Sequence, residues 1–376
     1  MEVHLDFEKG SRWKCPDCEV LECPVHDTVD KEWRHLNFFQ HEAYLHARVP
    51  RVRCQEHGVL LVGVPWARAD SGFTLLFEAL LMAMMEEMPV KATGQLVGEH
   101  DTRLWRVLLH YVDQARAQED HSEVTKVGVD ETSHKRGQSY VTLFADLDRA
   151  KVLFATPGRD QETVARFKAD LLAHGGHAEQ IREFSADMSP AFKAGIETNF
   201  ESASLTLDKY HVTQLVNAMV DEVRRVEQQS TTDLKKSRYL WLKNPSNLTT
   251  HQRQWLRGLR RRCRQTARAY EYKLNFTELW DQPQELAEIF LIDWCESALR
   301  TRMPALDALR TLACTVVDHC EGILRWFQTR INNGVMEAIN SLVQAAKRRA
   351  RGYRTDRNYI AMIYIIAGKL SFNLPT

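Results

Sequence analysis

Two sets of residues in this 376-residue chain have the types and spacing to do chemistry. The first is a pair of short knuckles, Cys15-Pro-Asp-Cys18 and Cys54-Gln-Glu-His57. Each lets two soft or borderline ligands turn toward one ion, and together they supply the four donors that tetrahedral zinc prefers. All four positions are then filled, so this zinc is expected to be structural rather than catalytic. Cys23-Pro-Val-His26 is a third pair that could replace one knuckle. The second set is three separated acids, Asp130, Asp187 and Glu337. Carboxylates brought together repel unless cations lie between them, and such a group suits two magnesium ions about 4 Å apart.

The elements that must position these residues can be read in outline. Between the knuckles, residues 31–53 alternate in strand fashion, the pattern of a zinc ribbon. From Lys126 the chain reads as strands over 126–131, 140–147 and 151–156, a helix over 161–174, a strand over 181–186, a helix over 189–200 and a strand over 203–207. Three strands, helix, strand, helix, strand is the order of a ribonuclease-H-like sheet. In that sheet the first and fourth strands are neighbours, which brings Asp130 to Asp187. The third acid falls on a helix: Met336, Ile339, Val343, Ala346 and Ala350 form its apolar stripe. Glu337, Asn340, Gln344, Lys347 and Arg351 form its other face, which reads either as a solvated charged face or as the supplier of Glu337.

Ahead of the sheet, residues 73–88 and 90–98 read as two helices, the second stopped by Gly98. Asp101 is the expected N-cap of a third helix over 102–115. Its apolar positions face inward and leave Thr102, Arg103 and Arg106 outward near its start, where a recognition helix presents base-reading groups. A plain helical hairpin fits the same spacing.

Composition bounds the partners. Lys plus Arg and Asp plus Glu are both 50, so a globally basic nucleic-acid binder is excluded while local basic patches are not. One such patch is Arg257, Arg260, Arg261, Arg262 and Arg264 beside Trp255, which equally fits a solvated helix face. Hydrophobic residues make up 44%, enough for several cores, and no apolar run reaches the roughly 18 residues of a membrane span. The N-terminus lacks the basic and apolar run of a signal peptide, so a cytoplasmic, nucleoid-associated protein without a disulfide framework is expected. Cys263, Cys295, Cys314 and Cys320 then read as buried small hydrophobes.

In order and spacing, several motifs together resemble the DDE transposases of bacterial insertion sequences, of the ISL-three type. They are Cys15-Pro-Asp-Cys18, Trp33-Arg-His-Leu36, Arg51-Val-Arg-Cys54, Gly128-Val-Asp-Glu131, Ser185-Ala-Asp-Met-Ser189 and Asp208-Lys-Tyr-His211. Leu242-Lys-Asn-Pro245, Asn333-Gly-Val-Met-Glu337 and Arg351-Gly-Tyr353 continue the set, which spans essentially the whole chain. The resemblance implies a multidomain α+β protein. Its parts are a zinc ribbon (1–70), a helix-turn-helix (71–120), and a ribonuclease-H-like mixed-sheet domain (121–212 and 331–376) interrupted by an all-helical insertion (213–330). It carries catalysis to Asp130, Asp187 and Glu337 as magnesium ligands, with manganese as a substitute cation. Asp208 and His211 stand behind them, holding DNA or ordering the site, and Asp208 is the alternative to Asp187 as second ligand.

The expected function is metal-dependent cleavage and strand transfer at terminal inverted repeats by a homodimer or higher oligomer on DNA. Thr102, Arg103 and Arg106 would read the ends. Arg257, Arg260, Arg261, Lys347, Arg348 and Arg351 would meet phosphates. A catalytically inactive, transposase-derived regulator would bind without cutting. A structure-specific nuclease would cut without joining.

Overall fold

The computed structural model describes residues 1–19, 22–135, 139–331 and 333–375. Their contacts divide the chain into two compact units. One holds Met1–Glu119 with Ala346–Ile366 and Leu370–Thr376; the other holds Asp120–Ala345 with Ala367–Lys369.

The first unit begins with β1 (Glu2–Leu5), β2 (Arg12–Trp13), β3 (Cys23–Phe38), β4 (His41–Cys54) and β5 (Gly58–Leu61). The two strands between the knuckles are long, and β3 begins at Cys23, ahead of the expected alternation from residue 31. β3 and β4 form one antiparallel hairpin with two register shifts, and β1 adds parallel to β4. Three helices follow: α1 (Leu75–Glu87), α2 (Val90–Val97) and α3 (Asp101–Ala117). Gly98 ends α2 at φ 75°, a left-handed conformation that glycine adopts without a Cβ penalty. The cap of α3 differs from expectation. His100 is the N-cap, its ring nitrogen accepting from the Thr102 amide, and Asp101 is already the first helical residue.

A buried arginine ties hairpin to helices. Arg34 is 1% exposed, donates to the carbonyls of His35 and Ala43, and lies over the rings of Tyr44 and Phe77. Its own amide donates to Gly72 and its carbonyl accepts from Thr74, the N-cap of α1. The charge is matched by Glu99 at 4.0 Å and Glu42 at 3.9 Å, the pairing a buried guanidinium needs.

The second unit is built on β6 (Lys126–Lys135), β7 (Ser139–Asp146), β8 (Lys151–Pro157), β9 (Glu183–Ala186) and β10 (Ser204–Leu207). Their order is β10-β9-β6-β7-β8, with β6–β7–β8 antiparallel and β6, β9 and β10 parallel. Thus the first and fourth strands of this sheet are neighbours. Helices α4 (Gln161–Ala173) and α5 (Pro190–Asn199) make the right-sized crossovers that parallel strands require. Phe144, Phe167, Phe184, Phe192 and Phe200 fill the core beneath them.

Between β10 and the last two helices every described element is helical: α6 (Lys209–Glu227), α7 (Arg238–Leu242), α8 (Thr250–Arg262), α9 (Arg264–Glu278), α10 (Gln284–Leu299), α11 (Asp307–Asp318) and α12 (Cys320–Thr329). They share one core, which includes Trp241, Tyr270, Phe276 and Trp294. α12 meets the sheet at β10, where a Cβ on Gly322 would sit 2.8 Å from Leu207. Cys263 and Cys295 are buried in this core, but Cys314 and Cys320 are exposed, so those two are not core fillers.

The chain closes with α13 (Gly334–Ala350) and α14 (Asp356–Ala367). The sequence reading grouped residues 331–376 with the sheet. In the structure the division falls within α13, and residues 346–366 join the first unit. There Arg116 lies over Tyr364, Trp105 packs edge-on to Tyr353, and Arg357 pairs with Asp113. No described helix is long and apolar enough to cross a membrane.

Candidate active site

Strand register lines up three acids. Gly128 pairs with Ser185, and Ala186 pairs with Leu207. Continuing each strand sets Asp130, Asp187 and Asp208 level across three adjacent parallel strands, which are spaced about 4.8 Å apart. The electrostatics agree. Burial pushes the Asp130 carboxyl above its usual range, and the charge of Asp187 adds to the rise. Glu131 is raised to about 7, by burial first and then by Asp187.

The three acids are not equivalent. Asp208 is 2% exposed, caps α6 by accepting from the Tyr210 and His211 amides at 3.3 Å, and pairs with His211 Nδ1 at 3.0 Å. That bond raises the His211 pKa, and the nearby charges of Asp130 and Asp187 add to it. Asp187 is half-buried and spends one oxygen on the Ser189 amide at 3.0 Å. Asp208 therefore has its oxygens committed to the protein, whereas Asp187 has one to offer.

Helix α13 runs along β6 in step. A Cβ on Gly128 would lie 2.7 Å from Met336 Sδ, Asn340 Nδ2 donates to Asp130 Oδ2 at 2.6 Å, and Gln344 Nε2 donates to Thr132 Oγ1 at 2.7 Å. Four helical residues rise about 6 Å and two strand residues about 6.6 Å, so the match holds over two turns. Met336, Ile339 and Val343 are its buried apolar positions. The polar face carrying Asn340 and Gln344 thus meets the strand rather than solvent. Glu337, one turn before Asn340, is exposed. The uncharged amides at i, i+4 beside Glu337 were the available signal for this contact. Glu131, next to Asp130 in sequence, gave none: the strand expected to end there runs on to Lys135, so both acids lie within β6.

The knuckle residues converge. Ligand atoms of Cys15, Cys18, Cys54 and His57 all lie within 4.8 Å of one another. Cys18 Sγ is 3.7 Å from Cys54 Sγ, and His57 Nδ1 is 3.7 Å from Cys54 Sγ and 3.9 Å from Cys15 Sγ. Four ligands about 2.0–2.3 Å from one zinc have edges near 3.7 Å, so three cysteines and a histidine fit that ion. Cys23 is buried beside them but outside this group, and His26 instead faces Arg53 at 3.1 Å.

In the helical unit of residues 75–117, Thr102 and Arg106 are exposed near the start of α3. Arg103 is not presented in the same way. It pairs with Glu99 at 2.6 Å, donates to the Gly72 carbonyl and lies 4.1 Å over Phe73. On α8, Arg257 and Arg261 are exposed, Arg260 pairs with Glu271 at 3.3 Å, and Arg262 pairs with Asp233. Lys347 lies over Tyr359, with its pKa lowered by burial, while Arg348 and Arg351 are exposed.

Comparison with known proteins settles the family. Residues 127–363, more than half of the chain, match a family model described as a transposase, of the DDE ISL3 type. The chain belongs to the ISL3 transposases. Residues 63–112 match the helix-turn-helix domain of transposase family ISL3, and residues 11–57 match the zinc-finger of the IS204/IS1001/IS1096/IS1165 transposases. The chain is 26% identical over 367 residues to the transposase for insertion sequence element IS1557 of Mycobacterium tuberculosis, covering 88% of this chain and 80% of that one. It is 26% identical over 362 residues to the transposase for IS1001 of Bordetella parapertussis, covering 92% and 86%. An ISL3 transposase is a DNA-binding, DNA-cleaving protein, and its helix-turn-helix is the α1–α3 region described above.

Proposed function

We propose that this ISL3 transposase binds terminal inverted repeats and cuts and joins DNA by two-metal phosphoryl transfer, on a ribonuclease-H-like sheet interrupted by a helical insertion (α6–α12). The observation that carries this reading is the row of Asp130, Asp187 and Asp208 across β6, β9 and β10, with α13 held along β6. Burial and then the charge of Asp187 raise the Asp130 and Glu131 carboxyls, and a group of hard carboxylate oxygens held that close suits magnesium, or manganese in its place. When bound, the two ions activate the attacking oxygen and stabilise the leaving one.

The chain's own residues do the positioning. Asp130 from within β6 and Asp187 from just past the end of β9 hold the cation pair, and Glu337 closes the set from α13. Asn340 orients the Asp130 carboxylate through its hydrogen bond. Asp208 fixes the start of α6 and holds His211 beside the acids, favouring the charged form of its ring. The 3′-hydroxyl freed at an element end is held in line with a target phosphodiester, so no covalent protein intermediate is needed. Thr102 and Arg106 read the ends. Arg257, Arg261, Arg348 and Arg351 meet phosphates, with Arg260 and Lys347 at the edges of those patches. The ribbon holds zinc and acts as scaffold. Paired processing of two ends implies a homodimer or larger assembly on DNA.

The test is incubation of purified protein and magnesium with DNA carrying the element's terminal repeats. Cleavage at the repeat end is expected for the wild type and lost in Asp130→Ala and Asp187→Ala, with end binding retained. Cleavage that survives Asp187→Ala would move the second ligand to Asp208.

A further inference from the structure

A second group of metal-ligating side chains lies outside the site already described. His121 precedes β6, and Asp170 and His174 end α4. One ligand atom from each lies within 4.8 Å of the others. His121 is fully buried, and the Asp170 and His174 side chains are 16% and 12% exposed. The two imidazoles converge, with ring centroids 4.9 Å apart.

We infer that His121, Asp170 and His174 form a second site for a divalent first-row cation, zinc in the first instance, that fastens the approach to β6 onto the end of α4. His121 Nε2 is 3.9 Å from Asp170 Oδ2, longer than a hydrogen bond and somewhat over the edge of about 3.4 Å between nitrogen and oxygen ligands that share one zinc. Two imidazoles and one carboxylate are a borderline donor set that suits zinc, with a water as fourth ligand on the exposed side of Asp170. The surroundings hold the ligands in place. His174 Nδ1 donates to the Asp170 carbonyl at 2.7 Å, which fixes the ring and leaves its lone pair on Nε2. The His121 amide donates to the His174 carbonyl at 2.8 Å, and Gln180 Nε2 donates to the His121 and Val124 carbonyls. The group lies at the start of β6, whereas the acids of the proposed reaction lie at the opposite, carboxyl ends of β9 and β10. Its role is therefore structural.

The test is zinc content of the full chain by elemental analysis, in an Asp130→Ala background with excess magnesium so that the sheet-end acids do not contribute. One zinc is expected in each of the two ligand groups. His174→Asn and Asp170→Asn should each lose one of the two zincs, and Cys54→Ser the other. Cobalt loaded into the Cys54→Ser protein should give ligand-field bands without thiolate charge transfer, and these should vanish when His174→Asn is added. Zinc in the ribbon alone, with no cobalt bands in Cys54→Ser, overturns the inference and leaves a histidine–carboxylate cluster without a cation. Should the histidine variants fail to fold, the zinc count of the Asp130→Ala protein and the cobalt spectrum of Cys54→Ser still decide.

Discussion

Asn340 Nδ2 reaches across 210 residues of sequence to donate to Asp130 Oδ2 at 2.6 Å. With the bond from Gln344 to Thr132, this bond joins the helix that carries Glu337 to the strand that carries Asp130. Groups that orient a metal-binding carboxylate affect activity by about 10–100-fold when removed. Asn340→Ala should therefore lower the cleavage rate by roughly tenfold or more while end binding stays unchanged. Asn340→Asp should be worse, because it sets a like charge against Asp130. Single-turnover cleavage beside a gel-shift titration separates the two effects, and equal losses in both would refute the orienting role.

The same interface makes Gly128 a packing position. A Cβ there would meet Leu147 Cδ2 and Met336 Sδ at 2.7 Å, closer than atoms in a settled core approach. Gly128→Ala should cost about 1–3 kcal/mol of stability and displace α13 from β6. Cleavage should then fall in parallel with the melting temperature. Gly128→Ala combined with Met336→Ala, which opens the space, should recover much of the stability. No recovery would show that the strain lies elsewhere.

How far the sequence reaches can be judged from these elements. The order of strands and helices and the helical stretch before α13 are legible because alternation and apolar periodicity are local signals; the end of β6 is not, since the strand runs on to Lys135. Asp187 and Asp208 stand out for the same reason, since each directly follows an apolar strand, whereas Asp130 lies within β6. What stays hidden depends on distant partners. Asn340 and Gln344 fit a solvated face as well as a supporting one, because beyond their lack of charge nothing local reveals the strand beneath them. Arg103 reads as an outward residue because Gly72 and Phe73 approach it from another element. Arg34, met in sequence only inside the motif Trp33-Arg-His-Leu36, is 1% exposed with Glu42 and Glu99 around it, which no local pattern announces. The joining of residues 346–366 to the N-terminal unit is likewise a contact between ends of the chain.

Arg103 and Arg106 should behave differently when truncated. Arg106 is exposed on α3, so Arg106→Ala should weaken binding to the terminal repeat by about 1–3 kcal/mol if it contacts a base, or reduce the salt slope by about 1 if it contacts phosphate. Arg103→Ala removes a pair to a mostly buried Glu99 and a stacking contact on Phe73, so its main effect should be on melting temperature. Fluorescence anisotropy at several salt concentrations, alongside thermal unfolding, distinguishes them. A large loss of affinity in Arg103→Ala without a change in stability would restore it as a reading residue.

The ribbon should fold only with its ion. Cys15, Cys18 and Cys54 have few apolar neighbours beyond Trp13, Val52, Leu60 and Val62, too small a core to stand alone. Cys54→Ser, or chelation of the wild type, should therefore unfold the knuckles and the adjoining ends of β3 and β4, whose other ends have their own core around Trp33 and Val49, and abolish specific end binding. Hydrogen exchange would report the loss of protection at those knuckle ends, and retained protection there with zinc removed would refute a structural role for the ion.

Lys273 gives a pH dependence with a definite sign. It is 2% exposed, donates to the carbonyl of Trp241 at 2.9 Å and to that of Leu242, and burial lowers its pKa to about 8. The unfolded chain holds that proton up to about pH 10.4. Between these values the unfolded state binds more protons than the folded one, so this group makes stability rise with pH from about 8 to 10. Below pH 8 its cost is fully present. Lys273→Met removes the titration but leaves the two carbonyls without their donor. The variant should lack the part of the rise that Lys273 supplies, whatever its absolute stability. Denaturant unfolding of both proteins across that range gives the comparison, and identical slopes would show that Lys273 keeps an ordinary pKa in the fold.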